Sequence, residues 1–323
     1  MTRPLGTGDH IVIVDGSAVV YRAYFAGQAG QVRLTRPSDG MPTGAIFGVA
    51  QSLWTLMTTR AAIGRPFTHM AFVLDAPGPN FRHELLPSYK ANRHAAPSDL
   101  TVQRPYIERA VAAFGVRTIK VQGFEADDAI ATLARKAAIA NADVSILTSD
   151  KDLACLVEDG CVLIDPAKRY DEKDRIVGVE AVIRRFGVRP QYVPDFLALT
   201  GDAGDNIPGV PGIGAVKAAK LLNEYGDLEA VLANAVRARA LVGGKCSGYL
   251  QAYATQARFA RQLVQLRDDV PLPFELDDLD VEGPDCASLL EYLRELEFTG
   301  FAQRVLEYLQ SADNQRASLV PAA

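Results

Sequence analysis

The segment His10-Ile-Val-Ile-Val-Asp15 is a short apolar run that ends on an acid. The same pattern returns in His69-Met-Ala-Phe-Val-Leu-Asp75 and in Val144-Ser-Ile-Leu-Thr-Ser-Asp150, and shorter runs at 116–121 and 161–165 are candidates for further strands. Near-continuous apolar runs of this length are typical of parallel strands that are covered on both faces. We therefore predict that these segments are buried neighbours in one sheet.

Helical patterns alternate with these runs. Thr43–Arg60 and Ala126–Ala140 each carry apolar residues at helical spacing. This alternation predicts an α/β fold with a doubly wound, mainly parallel sheet. In such sheets the ligand site lies beyond the carboxyl ends of the strands, which is where Asp15, Asp75 and Asp150 stand.

The rest of the chain changes character twice. A basic, proline-rich insertion occupies about residues 77–122, and from Gly178 onward the pattern is almost wholly helical. We predict an α/β core over 1–176 that includes the insertion, a helical region over 177–235, a C-terminal helical region over 236–310 and a frayed polar tail over 311–323.

The composition of the 323 residues, 48% hydrophobic and 23% charged, is that of a globular protein. The amino terminus has no basic-then-apolar stretch, and no run approaches 18 apolar residues, so neither a signal peptide nor a membrane span is expected. The four cysteines show no CxxC spacing, which argues against a zinc ribbon and a disulfide framework and favours a cytoplasmic location.

Three further segments supply acids in close succession, and these are Glu125, Asp127 and Asp128, then Asp150 and Asp152, then Asp202 and Asp205. Each group has an ordinary explanation, as charge at a helix N-terminus, as a turn cap or as an Asx-turn. If they converge with the strand-end acids, however, their repulsion requires cations. Oxygen ligands without clustered His or Cys favour Mg²⁺ or Mn²⁺ over zinc. Two such ions about 4 Å apart activate a water and stabilise the leaving oxygen of a phosphodiester.

The net charge of −5 does not argue against a nucleic-acid substrate. Removing the nine candidate acids from the 39 Asp and Glu leaves 30, against 34 Lys and Arg. A basic surface around an acidic metal site is typical of a nucleic-acid enzyme.

The glycine-rich stretch Asn206-Ile-Pro-Gly-Val-Pro-Gly-Ile-Gly-Ala-Val-Lys217-Ala-Ala-Lys220 leads into an amphipathic helix. Its paired Pro-Gly and Ile-Gly steps form a helix-hairpin-helix pattern, in which backbone N–H groups and a helix N-terminus face a phosphate. Such a turn holds the nucleic-acid backbone without reading bases.

Taken together, these motifs resemble the bacterial 5′–3′ exonuclease and flap endonuclease family, which includes the 5′-nuclease domain of DNA polymerase I. The resemblance covers roughly residues 9–235, and one small departure is Ser17, where many relatives carry Asn. The matching stretches are Val14–Tyr24, Phe81–Arg93, Phe124–Asp128, Thr148–Leu153 and Thr200–Asn206 with the hairpin that follows.

The resemblance implies a PIN-like nuclease core with a helical arch at about 77–122, through which a free 5′ end passes, and a helix-hairpin-helix (H3TH) region. It implies a catalytic role for Lys90, phosphate contacts for Arg82 and Arg93, two or three Mg²⁺ or Mn²⁺ ions and a K⁺ ion at the hairpin turn. The implied metal ligands are Asp15, Asp75, Glu125, Asp127, Asp128, Asp150, Asp152, Asp202 and Asp205. The implied DNA contacts are Gly209, Val210, Gly212, Ile213, Gly214, Lys217 and Lys220.

Aromatic residues near these motifs have two interpretations. Each either stacks on an unpaired base or packs in the core, and the candidates are Tyr21, Tyr24, Phe81 and Tyr89. Trp54, on an apolar helix face, is expected in the core.

The expected function is a metal-dependent 5′ nuclease that removes 5′ flaps, 5′-terminal nucleotides and RNA primers during replication and repair, leaving a 5′-phosphate and a 3′-hydroxyl. Its expected partners are flapped or branched DNA and RNA–DNA hybrid 5′ ends, with a DNA polymerase or sliding clamp as a candidate protein partner, and the chain is expected to be monomeric. One alternative is a single-strand ribonuclease of the PIN type, against which the hairpin at Gly209–Lys220 argues. The other is a DNA-binding scaffold with a decayed site, against which the complete set of acids argues.

Overall fold

The computed structural model describes residues 4–29, 34–59, 63–168, 172, 175–281 and 283–318. The strands are β1 (His10–Asp15), β2 (His69–Val73), β3 (Arg117–Ile119), β4 (Asp143–Leu147), β5 (Cys161–Ile164), β6 (Ile176–Val177), β7 (Gly201–Asp202) and β8 (Ile207–Pro208). The helices are α1 (Gly16–Ala29), α2 (Gly44–Thr58), α3 (Phe81–Leu85), α4 (Ser98–Ala113), α5 (Ala126–Ile139), α6 (Val179–Phe186), α7 (Val193–Thr200), α8 (Ala215–Tyr225), α9 (Leu228–Ala233), α10 (Arg239–Val242), α11 (Gly244–Ala252), α12 (Ala254–Val264), α13 (Cys286–Glu295) and α14 (Thr299–Ser318). Short 3₁₀ turns occupy Asp152–Leu156, Pro190–Tyr192 and Leu276–Leu279.

The main sheet has six strands in the order β3-β2-β1-β4-β5-β6. β1 pairs in parallel with β2 and β4, β4 pairs in parallel with β5, and β6 is an antiparallel edge strand. Every residue of β1 and β2 is buried, as expected for strands with both faces covered. The predicted α/β fold with a mainly parallel sheet is confirmed.

Two compact units share the chain, and neither is continuous in sequence. The first comprises Met1–Ala18, Pro66–Ala95 and Ile119–Asp280, and the second comprises Val19–Arg65, Ala96–Thr118 and Val281–Ala323. The boundaries drawn from sequence at 176 and 235 both fall inside the first unit, and the insertion at 77–122 is divided between the two. Those boundaries therefore stay predictions.

A contiguous cluster of buried apolar residues runs through the described part of the first unit. Ile13 of β1 and Ile130 of α5 belong to the same buried cluster as Leu199 of α7, Leu221 of α8 and Leu250 of α11. The sheet and the helices that follow it are thus joined by packing, and the helical region cannot rearrange without disturbing the sheet.

The second unit is held together by helices α2, α4, α13 and α14. Trp54 of α2 is buried, as predicted, and meets Phe301 and Tyr308 edge to face. The hydroxyl of Tyr292 donates to the carbonyl of Tyr106 at 2.6 Å. The predicted C-terminal helical region therefore contributes to both units, with the change at residue 280.

The segment expected as a frayed tail begins as helix, because α14 continues to Ser318, and residues 319–323 lie outside the described part. In the described ranges, no helix combines the length and apolarity needed to cross a membrane.

Candidate metal and nucleic-acid site

The carboxyl edge of the sheet brings Asp15, Asp75 and Asp150 into one neighbourhood. Thr148 Oγ1 donates to Asp15 Oδ2 at 2.7 Å and accepts from the backbone N–H of Asp150 at 2.9 Å. Ser17 Oγ donates to Asp75 Oδ2 at 2.8 Å. The structure thus places the three strand-end acids together, as the parallel topology predicts.

Glycine is required directly after Asp15. A Cβ atom at Gly16 would lie 2.3 Å from the ring of Phe72 and 2.7 Å from the carbonyl oxygen of Val73. Because real side chains never approach so closely, only glycine lets α1 begin at the end of β1.

The N-terminus of α5 delivers two more acids to this edge. Glu125 is the N-cap residue and Asp127 stands in the first turn, while the backbone N–H of Ala126 donates to Asp75 Oδ1 at 2.9 Å. These acids are therefore charge at a helix N-terminus, where the positive end of the helix dipole favours them. They also lie next to the acids at the strand ends.

The 3₁₀ turn that begins at Asp152 and the short strand β7 complete the set. The N–H of Asp152 donates to Asp150 Oδ1 at 2.9 Å, and Asp202 Oδ1 accepts from the N–H of Gly204 at 2.8 Å. Lys151 Nζ joins these two segments, because it lies 3.1 Å from Asp152 Oδ1 and 2.5 Å from Asp202 Oδ2. We call the resulting group the carboxylate cluster, and it comprises Asp15, Asp75, Glu125, Asp127, Asp150, Asp152, Asp202 and Asp205.

Burial and mutual repulsion make the carboxylate cluster costly to keep ionised. Burial, with added repulsion from Asp150 and Asp75, raises the pKa of Asp15 to about 6. Burial and the charge of Asp150 likewise raise the pKa of Asp152 to about 6, and burial with the charges of Asp150 and Asp15 raises the pKa of Asp127 well above its ordinary value. A bound cation would remove this repulsion.

Lys151 reduces the repulsion between carboxylates at Asp152 and Asp202. Burial works to raise the pKa of Asp202, but the hydrogen bond and charge of Lys151 bring it below the ordinary value. For Lys151 itself, burial opposes the charge, yet the bond to Asp202 and the charge of Asp152 hold its pKa above the ordinary value.

The donor chemistry of the carboxylate cluster fits a hard divalent cation, since every donor is an oxygen. Within the residues that the structure describes, no three His, Cys, Asp or Glu side chains already form a closed metal cage. A divalent cation would supply the positive charge that Lys151 now supplies to Asp152 and Asp202.

Asp128 and Arg82 form a buried ion pair beside this site, in which Arg82 also donates to Glu125 Oε2 at 3.1 Å, and this corrects two predictions from sequence. Arg82 donates to both oxygens of Asp128, at 2.7 and 2.8 Å, and its Nε donates to the carbonyl of Leu263 at 2.7 Å. Arg82 is 2% exposed and Asp128 is 0% exposed. Asp128 also accepts from the N–H of Arg267 at 2.9 Å. Their polar groups are already paired within the protein, so Asp128 is not placed to bind a metal and Arg82 is not placed to contact a phosphate.

Lys90 and Arg93, in contrast, lie beside the carboxylate cluster. Lys90 Nζ is 2.5 Å from Glu125 Oε1 and 3.7 Å from Asp205 Oδ2, and the guanidinium of Arg93 forms an ion pair with Asp205. Lys90 adopts a left-handed backbone, with φ of 54°, a conformation that costs energy for a residue with a side chain. Its N–H donates to the carbonyl of Asp205 at 3.1 Å, which helps to hold this turn.

The aromatic candidates have different surroundings. Tyr89 is buried, and its hydroxyl lies 2.9 Å from Glu125 Oε2 and 3.0 Å from Asp205 Oδ2. Tyr24 is buried and its hydroxyl donates to Asp99. Stacking on a base is therefore wrong for both in this conformation.

Two aromatic candidates keep more exposed rings. The ring of Phe81 is half-buried, and the guanidinium of Arg82 covers it at 4.5 Å from the centroid. Tyr21 is 37% exposed and stacks on Phe25, so a stacking role for Tyr21 stays a prediction.

The glycine-rich turn depends on contact between two backbone segments. A Cβ atom at Gly209 would lie 2.3 Å from the carbonyl carbon of Thr200, and one at Gly201 would lie 2.4 Å from the N of Gly209. The turn therefore packs directly against the end of α7, and the chain enters α8 through Gly214, its N-cap residue.

In the hairpin turn the side chains of Val210 and Ile213 are buried, whereas Lys220 is exposed to solvent. Only the backbone of Val210 and Ile213 is therefore available to a ligand. Lys217 Nζ donates to the carbonyl of Gly212 at 3.0 Å.

The carbonyl of Gly209 accepts a hydrogen bond from Gln256 at 2.8 Å. Two carbonyls of this turn, those of Gly209 and Gly212, thus already have partners, and a K⁺ ion here stays a proposal.

Two polar groups of this site are not among those predicted from sequence. Lys151 provides one of them, although its place in Asp150-Lys-Asp152 is itself a signal of charge compensation. The hydroxyl of Tyr89 was not foreseen as a hydrogen-bond donor, because its two acceptors lie 36 and 116 residues away.

The chain matches two family models that together span most of its length. Residues 10–187 match the 5′–3′ exonuclease N-terminal resolvase-like domain, and residues 188–287 match the 5′–3′ exonuclease C-terminal SAM fold.

Relatives of known name agree with these models. A 5′–3′ exonuclease of Aquifex aeolicus is 33% identical over 305 residues, which make up 94% of this chain and 98% of the relative. DNA polymerase I of Rhizobium leguminosarum is 40% identical over 317 residues, which cover 98% of this chain and 30% of the polymerase. The chain thus spans about a third of the polymerases that it matches.

Solved structures share the fold at low sequence identity. The bacteriophage T5 flap endonuclease, in a complex with DNA and metal ions, has a TM-score of 0.62 at 19% identity, with 92% of this chain and 98% of that chain covered. The catalytic core of Rad2 in complex with a DNA substrate has a TM-score of 0.55 at 16% identity, with 89% and 88% covered.

Proposed function

The chain belongs to the 5′–3′ exonuclease family, and from this premise we propose that it is a divalent-metal-dependent hydrolase of phosphodiesters at 5′ flaps and 5′ ends of duplex DNA, RNA primers included. The products would be a 5′-phosphate and a 3′-hydroxyl. One observation carries the proposal: acids from separate segments of the chain converge at the carboxyl edge of a parallel sheet, with Lys90 and Arg93 beside them.

The carboxylate cluster would hold two or three Mg²⁺ or Mn²⁺ ions. When bound, these ions supply Lewis-acid charge and lower the pKa of water. The residues proposed as ligands are Asp15, Asp75, Glu125, Asp127, Asp150, Asp152, Asp202 and Asp205. Asp75 is oriented for this by Ser17 and by the N–H of Ala126, and Asp15 is oriented by Thr148.

Lys90 would bind the scissile phosphate and stabilise the negative charge that develops on its oxygens. At present its ammonium pairs with Glu125 and Asp205, so it would exchange these partners for the phosphate when the acids hold cations. Arg93 is 55% exposed and would exchange its ion pair with Asp205 for an adjoining phosphate. Arg82 would act indirectly, because its buried bond to Asp128 fixes the start of α5.

The hairpin would hold the duplex by its backbone. The N–H groups at the start of α8 and the ammonium groups of Lys217 and Lys220 offer donors and positive charge without any base-reading group. Binding should therefore be independent of sequence and should weaken as salt rises. A K⁺ ion at the turn from Gly209 to Gly214 remains part of this proposal.

DNA with an unpaired 5′ flap should be preferred to blunt duplex. Acids held at a sheet edge cannot reach a phosphodiester inside a duplex unless terminal pairs fray, at a cost of roughly a few kcal/mol. A pre-existing flap removes that cost.

The cellular setting that we propose is replication and repair in the cytoplasm. Similarity to DNA polymerase I supports work alongside a DNA polymerase, and a sliding clamp is a further candidate partner. We propose that the chain itself acts as a monomer.

The function is tested with end-labelled flap, nicked and RNA-primed duplexes, incubated with Mg²⁺, Mn²⁺ or chelator. We expect cleavage with either ion, none with chelator, and the fastest cleavage on the flap. Asp150→Asn should abolish cleavage while retaining DNA binding. Cleavage in chelator, or full activity of Asp150→Asn, would count against the assignment.

A further inference from the structure

One lysine lies inside the carboxylate cluster. Lys151 Nζ is 3.1 Å from Asp152 Oδ1 and 2.5 Å from Asp202 Oδ2. Asp152 begins a 3₁₀ turn and Asp202 ends β7, 50 residues apart in sequence, and the ammonium group contacts both side chains. The backbone of Lys151 is held by the 3₁₀ turn that follows, because its carbonyl accepts from Ala154 at 3.1 Å.

We infer that the ammonium group of Lys151 is a built-in competitor of a divalent cation at Asp152 and Asp202, so that a cation binds there only by displacing it. This inference rests on the proposed function, since it concerns the regulation of the same site. It adds a role for a residue that is neither a metal ligand nor a phosphate contact in that proposal.

The charges make displacement possible. Two carboxylates share one ammonium group, so the trio keeps a net negative charge and still attracts a dication. Asp202 is 9% exposed, and a carboxylate so buried requires a positive partner whether or not a metal is present. Lys151 supplies that partner in the metal-free protein.

The exposure of Lys151 shows that it can leave. Its side chain is 40% exposed, so the ammonium can turn into water, or toward a bound phosphate, without a large desolvation cost. Lys90 differs, since it pairs with Glu125 and Asp205 and is only 19% exposed. The competitor is therefore specific to the Asp152–Asp202 side of the carboxylate cluster.

As a consequence, Lys151 lowers the apparent affinity of this site for a divalent cation. The apparent affinity of a site equals its intrinsic affinity multiplied by the fraction of time that the competing arrangement is absent. Removing Lys151 should therefore tighten the binding of a cation at Asp152 and Asp202, by on the order of tenfold. Cations that bind beside Asp15 and Asp75 should be affected much less.

The test is isothermal titration calorimetry of Mn²⁺ into chelator-treated, metal-free protein at pH 7.5. Lys151→Gln should tighten the weakest class of Mn²⁺ sites about tenfold, whereas Lys151→Arg, which keeps the cation, should resemble wild type. Lys136→Gln is the matched control, because it removes an equal charge about 13 Å along α5 from Asp127. Repeating the titration in 0.5 M KCl separates direct competition, which should persist, from long-range repulsion, which salt screens.

Thermal unfolding gives an independent readout. Metal-free Lys151→Gln should be less stable than wild type, because Asp202 loses its partner, and should gain more from saturating Mn²⁺.

Unchanged or weaker Mn²⁺ binding by Lys151→Gln would overturn the inference, and so would an equal effect of Lys136→Gln. If wild type cleaves flaps and binds Mn²⁺ but Lys151→Gln does not differ, only this inference fails. If wild type binds no Mn²⁺, the proposed function fails with it.

Discussion

Arg82 and Asp128 form a two-pronged ion pair, with N–O distances of 2.7 and 2.8 Å, in which neither side chain is more than 2% exposed. The guanidinium also donates to the carbonyls of Leu263 and Gln265. The pair therefore joins α3, the start of α5 and the end of α12.

Breaking this pair should destabilise the protein strongly. Arg82→Gln leaves the Asp128 carboxylate buried without a cation, which should lower the free energy of unfolding by about 3–5 kcal/mol. The double variant Arg82→Met with Asp128→Leu removes both charges and should recover much of that loss. Urea unfolding at pH 7.5 measures both.

The control is Asp269→Asn, which breaks the exposed pair with Arg267 and should leave stability close to wild type. If Arg82→Gln unfolds like this control, the buried pair has little structural importance.

Lys90→Ala should slow the chemical step more than it weakens binding. Loss of a cation that meets developing charge typically lowers turnover by about 10²–10³-fold, whereas flap DNA should bind with nearly unchanged affinity through the hairpin. Single-turnover cleavage and fluorescence anisotropy measure the two quantities separately, with Lys136→Ala as control. Equal losses in both would argue for a role in binding alone.

Stability of the metal-free protein should depend on pH through Asp15. Its folded-state pKa of about 6 lies above the ordinary value of 3.8, so the folded state binds this proton more tightly. The contribution of this bound proton to the free energy of unfolding is largest below about pH 4 and is lost as the pH rises through 6. Between pH 4 and pH 7, Asp15→Asn should gain about 2 kcal/mol relative to wild type.

Chemical unfolding in chelator measures this difference, and Asp268→Asn, at an exposed position, is the control. A constant difference between Asp15→Asn and wild type across the pH range would show that burial of Asp15 does not oppose its charge. Asp15→Asn should also abolish cleavage, because it removes a proposed metal ligand.

Gly209→Ala should damage the hairpin, whereas Gly214→Ala should not. A Cβ at Gly209 would meet backbone atoms at 2.3 to 2.5 Å, but no heavy atom lies within 4 Å of one at Gly214. We expect Gly209→Ala to lower the free energy of unfolding by about 1–3 kcal/mol and to weaken flap-DNA binding. Equal stability of the two variants would show that the backbone around Gly201 and Gly209 can shift to accommodate a Cβ atom at little cost.

Part of the site can be predicted because short sequence patterns mark its residues. Asp15 and Asp75 follow apolar runs that could only be buried strands, and parallel topology places such strand ends at one edge. Asp127 and Asp128 show the limit of this reasoning. Successive helical residues differ by about 100° in direction, so Asp127 lies within the carboxylate cluster and Asp128 meets Arg82. Nothing in the local pattern distinguishes the two acids.

The parallel sheet, the acids at its carboxyl edge and the glycine turn can be predicted from the amino-acid sequence, because periodicity and turn chemistry act over a few residues. Which charged groups are buried, and which partners they pair with, depends on tertiary packing. Arg82 reaches Leu263 across 181 positions, and Lys151 reaches Asp202 across 51. Pairing at such separation depends on how whole elements pack, and desolvation then selects the charges that must be neutralised inside the protein.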